Sequence, residues 1–172
     1  MARIIYKEGL EGQNMIDCIE GIEIELLNGQ KALIYPKYSE RRILSEDKIP
    51  NWNEKDTTEI ETLKWEDNVQ ATKALLKCGS PAAKYVSNFQ SDRYGSFGLP
   101  TLLAAMEINH QKKDINKLAA TIKGAMQLEK YTFIWSCSRY TPSQGWIVTD
   151  CDSAQGYPLV FADWCVPTIL YR

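Results

Sequence analysis

His110 is the sole histidine among 172 residues, so any Ser-His-Asp or Cys-His relay in this chain has to run through it. It is followed by Gln111-Lys112-Lys113 and has no serine or cysteine near it in sequence, which fits a solvated histidine at a helix end better than a general base. The five cysteines (Cys18, Cys78, Cys137, Cys151, Cys165) are odd in number, widely spread and without C-x-x-C spacing. With one imidazole available, that set predicts reduced thiols, several of them buried, and neither a zinc site nor a disulfide framework. Asp150 and Asp152 form a carboxylate pair in a turn. Two carboxylates alone hold calcium weakly, and the acidic positions and glycine spacing of an EF-hand are missing, so turn capping is the expected role. No catalytic residue, metal or cofactor is expected.

The remaining chemistry is aromatic. Trp135, Trp146, Trp164 and Tyr157 could supply a stacking platform for sugar rings or a hot-spot patch for a protein partner. Tyr140 and Trp164 flank turns and are the rings expected to reach the surface. The candidate ligand-binding set is therefore Tyr140, Trp164, Asp150, Asp152 and Tyr157.

These residues fall where the composition changes. From Tyr131 onward the chain holds nine of its 18 aromatics and five charged groups, a strand-like composition. Strands are expected at 132–136, 146–150, 157–162 and 165–171, separated by Thr141-Pro142-Ser143-Gln144-Gly145 and by 151–156, and paired as an antiparallel meander. Upstream the signals are helical. Thr58 and Glu61 make a capping box, with Trp65, Val69, Thr72 and Leu76 at helical spacing up to Cys78. Ser80-Pro81 opens a second helix with Ala82, Tyr85, Val86 and Phe89 on one face. Thr101 caps a third, running to about His110, and Asp114 caps a fourth that Gly124 closes. Near the start, Ile22–Leu27, Asn28-Gly29 and Lys31–Tyr35 read as a hairpin with a type I′ turn. The charged stretch 36–57 has no period and reads as loop.

Helices gathered early and strands late give an α+β fold, expected as one domain over 1–172, with a hairpin and charged loop in 1–57 and the core in 58–172. A net charge of −2 with both signs interspersed leaves no broad basic face for phosphate, so nucleic acid is not an expected partner. Neither a secretory signal nor an apolar run long enough for a bilayer is visible. A soluble protein, cytoplasmic as synthesised, is expected, with a place in a phage particle compatible with that.

Several of these segments co-occur in a known order. Phe97-Gly98-Leu99-Pro100-Thr101 opens a helix, Ile115-Asn116 follows, then Ile134-Trp135-Ser136, Tyr140, Gly145-Trp146-Ile147-Val148 and a closing strand, with Trp65-Glu66 upstream. Together they resemble bacterial and phage domains of the C-type-lectin-like superfamily, related in fold to formylglycine-generating enzymes, over roughly 63–172. Those domains typically read Trp-Arg-Leu-Pro-Thr, Trp-Ser-Ser and Val-Arg-Pro-Val-Arg. Here Gly98 stands for the arginine, Cys137 for the second serine, and Cys165-Val166-Pro167-Thr168 for the closing motif. The resemblance implies amphipathic helices on a twisted antiparallel sheet, and binding of a protein or carbohydrate through the turns after Ser136 and Asp150 and around Trp164. Cys137-Ser138-Arg139-Tyr140 also resembles the Cys-x-Arg-Tyr stretch of the enzymes, without a second cysteine at close spacing. A degenerate oxidase of that type and a structural subunit of a phage or cell-surface assembly are the alternatives.

Overall fold

The computed structural model describes residues 1–48 and 68–172. The expected capping box at Thr58 and Glu61, and Trp65-Glu66, lie outside the described residues. The chain is α+β. Its N-terminal part contributes β1 (Arg3–Tyr6), β2 (Ile19–Glu25), β3 (Lys31–Ile34) and β4 (Ser39–Arg42). The helices α1 (Asn68–Lys77) and α2 (Pro81–Ser87), the small hairpin β5 (Gln90–Ser91) and β6 (Gly95–Ser96), α3 (Leu102–His110) and α4 (Lys112–Ala119) follow. The C-terminal part carries β7 (Ile134–Thr141), β8 (Gln144–Val148), β9 (Ala154–Pro158), β10 (Asp163–Cys165) and β11 (Thr168–Tyr171).

Two sheets organise these elements. One runs β1-β2-β3-β11 and the other β4-β10-β7-β8-β9. Within the second, β7, β8 and β9 form the expected antiparallel meander, whereas β10 lies parallel to β7 through Trp164 and Ile134. The hairpin of β2 and β3 does not join the meander but packs over one face of its sheet, Ile22, Ile24 and Ile34 sharing a core with Ile134 and Val148. It belongs to the first sheet, and β11 pairs with β3 from Thr168↔Ile34 to Tyr171↔Lys31.

The last strand expected from sequence, 165–171, is thus two strands in two sheets. Pro167 sits at the handover: it has no N–H for a ladder, and its carbonyl accepts from Tyr35 N at 3.0 Å instead. The segment 36–57, expected as loop, contains β4, which pairs with β10 through Arg42↔Asp163. The expected strands 146–150 and 157–162 lie two or more residues upstream, at β8 and β9, because cross-strand pairing sets their limits. The β2–β3 turn also differs. Gly29 has φ 81°, but Asn28 is not in the left-handed region, and Leu26 N donates to Gln30 O at 2.8 Å. A type I′ turn needs positive φ at both central residues. Here Asn28 Oδ1 accepts from Gln30 N at 3.0 Å and stabilises a longer loop.

Helix starts follow their hydroxyls. Ser80 Oγ accepts from Ala83 N and Thr101 Oγ1 from Ala104 N, each at 3.2 Å, satisfying otherwise orphaned first-turn donors. α4 starts at Lys112, ahead of the expected cap Asp114, because Gln111 ends α3 and begins α4 at once. Its Nε2 donates to Glu25 O at 2.9 Å, tying that junction to β2.

The five-stranded sheet is covered on both faces. Ile134 and Val148 meet Ala104, Ala105 and Ile108 of α3 and the inward side of the first sheet, Ile22, Ile24 and Ile34. Alternate residues Trp135, Cys137 and Ile147 point the other way, into Ala71, Leu75, Ala82 and Val86 of α1 and α2. A third cluster, Leu33, Ile169 and Phe97, fills the outer side of the first sheet beneath the β5–β6 hairpin. α3 is buried nearly all round, which accounts for its apolar composition without a strong stripe.

Candidate functional site

Beyond the helices the five-stranded sheet ends in a turn that presents apolar side chains to solvent. The turn after β9 is pinned at Leu159, which is buried, donates to Ser143 O at 3.1 Å and accepts from Leu44 N at 3.0 Å. Phe161 N closes it onto Pro158 O at 3.1 Å. With Leu159 turned in, Val160 and Phe161 turn out, at 53% and 50% exposure. Most large apolar residues here are buried, and a contiguous exposed group on a fixed backbone is the arrangement found where proteins contact ligands or partners.

Tyr157 is the hub of this surface. Its ring meets Phe161 edge-on at 5.2 Å, Phe133 at 5.9 Å and the buried Trp135 at 6.0 Å. Trp135 is itself fixed by Nε1 donating to Arg42 O at 3.0 Å. The half-buried Tyr157 therefore rests on a core ring with little freedom of its own and carries the exposed Phe161 ring on its outer side. Beside them opens a cleft of about 300 Å³, with Ser143, Gln144 and Glu46 among its polar lining and Pro158 and Val160 on its apolar side.

Asp163 lies behind this surface at the start of β10, with 8% exposure. Burial pushes its carboxyl up to about 7, against the pull of the Arg41 charge. Among the described residues its Oδ2 has no hydrogen-bond partner. The Tyr157 phenol is raised by burial and then by the Asp163 charge, with Arg41 opposing.

The five residues expected to bind ligand separate in space. Tyr157 stands on the surface just described. Tyr140 is half-buried on the opposite face of the sheet, edge-on to Trp146 at 4.7 Å. Its ring lies against Gly156, where an added Cβ would come within 2.4 Å. Trp164, expected at the surface, is a core residue instead. It is 7% exposed and edge-on to the buried Tyr38 at 6.2 Å, because β10 is an interior strand and not a rim.

Asp150 and Asp152 sit in the β8–β9 turn, at the far end of those strands from Tyr157. Asp152 adopts φ 58°, a left-handed conformation that aspartate tolerates. Its Oδ1 accepts from Asn109 Nδ2, and its Oδ2 lies 3.6 Å from His110 Nδ1. Lys112, lowered by burial against the pull of Asp150 and Asp152, donates to the carbonyls of Glu129 and Lys130 at 3.0 and 3.1 Å. The Asn109 and His110 contacts of Asp152 dock the turn onto the C-terminal end of α3, and both His110 and Asp152 are open to solvent.

Among the described residues no group of three or more His, Cys, Asp or Glu is placed to hold a metal, and no helix is long and apolar enough to cross a membrane. Cys137 is fully buried, its N–H bonded to Pro100 O at 2.8 Å. Phe161, Val160, Phe133 and Asp163 were not singled out by the sequence. Pro158-Leu159-Val160-Phe161 reads as the interior of a strand, and the signal to the contrary is that its apolar residues run consecutively where a half-buried strand would alternate. Comparison of the chain with family models, with curated proteins and with solved structures finds no match in any of the three.

Proposed function

We propose that this chain is a non-catalytic recognition module of C-type-lectin-like architecture, and that it contacts a carbohydrate partner through the surface centred on Tyr157 and Phe161. The observation that carries the reading is the exposed Phe161 ring set edge-on to the half-buried Tyr157, which rests on a buried tryptophan beside a polar-lined cleft. A pyranose offers an apolar C–H face to an aromatic ring and hydroxyls to neighbouring polar groups. Tyr157 and Phe161 would supply the first, and Ser143, Gln144 and Glu46, in the cleft that Pro158 and Val160 also line, the second. Calcium has no part in this mode. The architecture is supported by the pairing of β3 with β11, which brings the two terminal regions into one sheet, and by the separate meander carrying the surface loops.

An oxidase of the formylglycine-generating type needs an accessible nucleophilic thiol. The Cys137 side chain lies in the core packed by α1 and α2, which favours the binding reading. The test is a glycan array together with a pull-down of protein partners, each with Phe161→Ala and Tyr157→Ala. Loss of a sugar signal by tenfold or more in both variants, with unchanged circular dichroism, supports the proposal. A protein partner that survives both changes, with no glycan bound, overturns it.

A further inference from the structure

Among the described residues the two sheets end in four edges, and three of them carry the devices that keep strands from pairing with other chains. β1 has a register shift between Ile5 and Tyr6 and starts at Arg3. β4 reads Ser-Glu-Arg-Arg. β11 is bridged by Gly98, with Thr168 and Gly98 exchanging N–H···O bonds at 2.8 and 2.9 Å. β9 differs. It reads Ala-Gln-Gly-Tyr-Pro, has no charge, and pairs with β8 at all five positions without a bulge.

The bonding phase of β9 fixes which groups face outward. Thr149 N donates to Ser153 O at 2.9 Å and Leu159 N to Ser143 O at 3.1 Å, so in the unbroken antiparallel ladder the odd-numbered residues of β9 bond to β8. The N–H and C=O of Ala154 and Gly156 therefore point away from the sheet. Pro158 has no N–H to offer, and the left-handed Asp152 ends the extended backbone on the other side. The outward edge thus holds two usable residues.

We propose that β9 pairs with β9 of a second copy of this chain, antiparallel, about a two-fold axis at Gln155, joining the two five-stranded sheets into one. This register sets Ala154 opposite Gly156 of the partner copy and uses all four N–H groups and all four C=O groups of the two edges. A two-fold at Gly156 would set Ala154 against Pro158 and lose donors, and one at Ala154 would require Asp152 to be extended. No like charges meet across the axis, a condition that β4 with its adjacent arginines does not meet. Gln155 is exposed, and with its copy it forms a non-hydrogen-bonded pair whose Cβ atoms approach within about 5.5 Å. The two Tyr157 side chains then stand on one face with Cα atoms about 14 Å apart, so the dimer would present two contact surfaces side by side. The pairing does not depend on what those surfaces bind.

Sedimentation equilibrium of the full chain at micromolar concentrations tests this, with Gln155→Lys placing two ammonium groups on the axis. The expected result is a dimer in the unaltered protein, weakened at least tenfold in Gln155→Lys with the same circular dichroism and melting temperature. In a background with the exposed Cys78 and Cys151 changed to serine, Gln155→Cys should form a covalent dimer on mild oxidation, while the background stays uncrosslinked. A monomer at all concentrations overturns the proposal, as does a dimer that Gln155→Lys leaves intact.

Discussion

Asp163 and Glu23 are both strand carboxylates taken largely out of water, and their neighbours push them in opposite directions. Asp163 has little to offset burial, and its pKa rises from 3.8 to about 7. As pH climbs past 3.8 the unfolded chain releases this proton while the folded chain retains it, so stability falls between about pH 4 and pH 7 and levels off above. Asp163→Asn removes the ionisable group without removing the shape. It should melt higher than the unaltered protein at pH 8 and lose less of its melting temperature between pH 5 and pH 8 in a calorimetric scan. Glu23 is buried too, which pushes it up, but hydrogen bonds from Tyr171 and Arg3 and the charges of Arg3 and Lys31 outweigh burial and hold it below its ordinary 4.5. Its contribution is present above that value and fades as acid protonates it in the fold. Glu23→Gln should therefore be less stable at neutral pH, with the deficit closing on acidification below 4.5.

Elements whose start depends on one nearby hydroxyl are the ones a sequence discloses. Thr101→Ala removes the acceptor for Ala104 N and should cost about 1 kcal/mol in urea unfolding, with the three-residue spacing to that donor written in the chain itself. Ser80-Pro81 was legible for the same reason. The meander was legible as a sequence of strands separated by turns, but its limits were not. Ala154-Gln155-Gly156 has poor strand propensity and becomes a strand because β8 offers it an uninterrupted ladder. Gly156 is also the position that admits the Tyr140 ring. Gly156→Ala should cost about 1–3 kcal/mol by overpacking, read as a lowered urea midpoint with the slope unchanged. The candidate surface was half legible. Tyr157 was named from its residue type, whereas Phe161 depends on Leu159 being anchored to Leu44 and Ser143, contacts remote in sequence. Trp164 failed for the complementary reason: a residue beside a turn is exposed only if its strand lies at a rim, and β4 closes that side.

At the scale of the whole molecule the two sheets are stitched together late in the sequence. Trp164 belongs to the meander's sheet and Thr168 to the other, with Pro167 between them, and Tyr171 closes onto Glu23 across 148 residues. Asn68 adds a second tie, its Nδ2 donating to Leu99 O at 2.9 Å and to Thr168 O at 2.8 Å. Such pairings carry a large loop-closure cost before they return any stabilisation, so refolding should proceed in milliseconds to seconds, as for other topologies rich in remote contacts. For a ribosome making this chain, β3 emerges early and β11 late. Throughout that interval Lys31–Ile34 has an unfilled flank of amides and carbonyls, an invitation to mispairing in a crowded polysome. A message truncated after Val166 would make that interval permanent, and its product should collect in the insoluble fraction, whereas supplying the missing strand as a separate peptide during refolding should return part of it to solution.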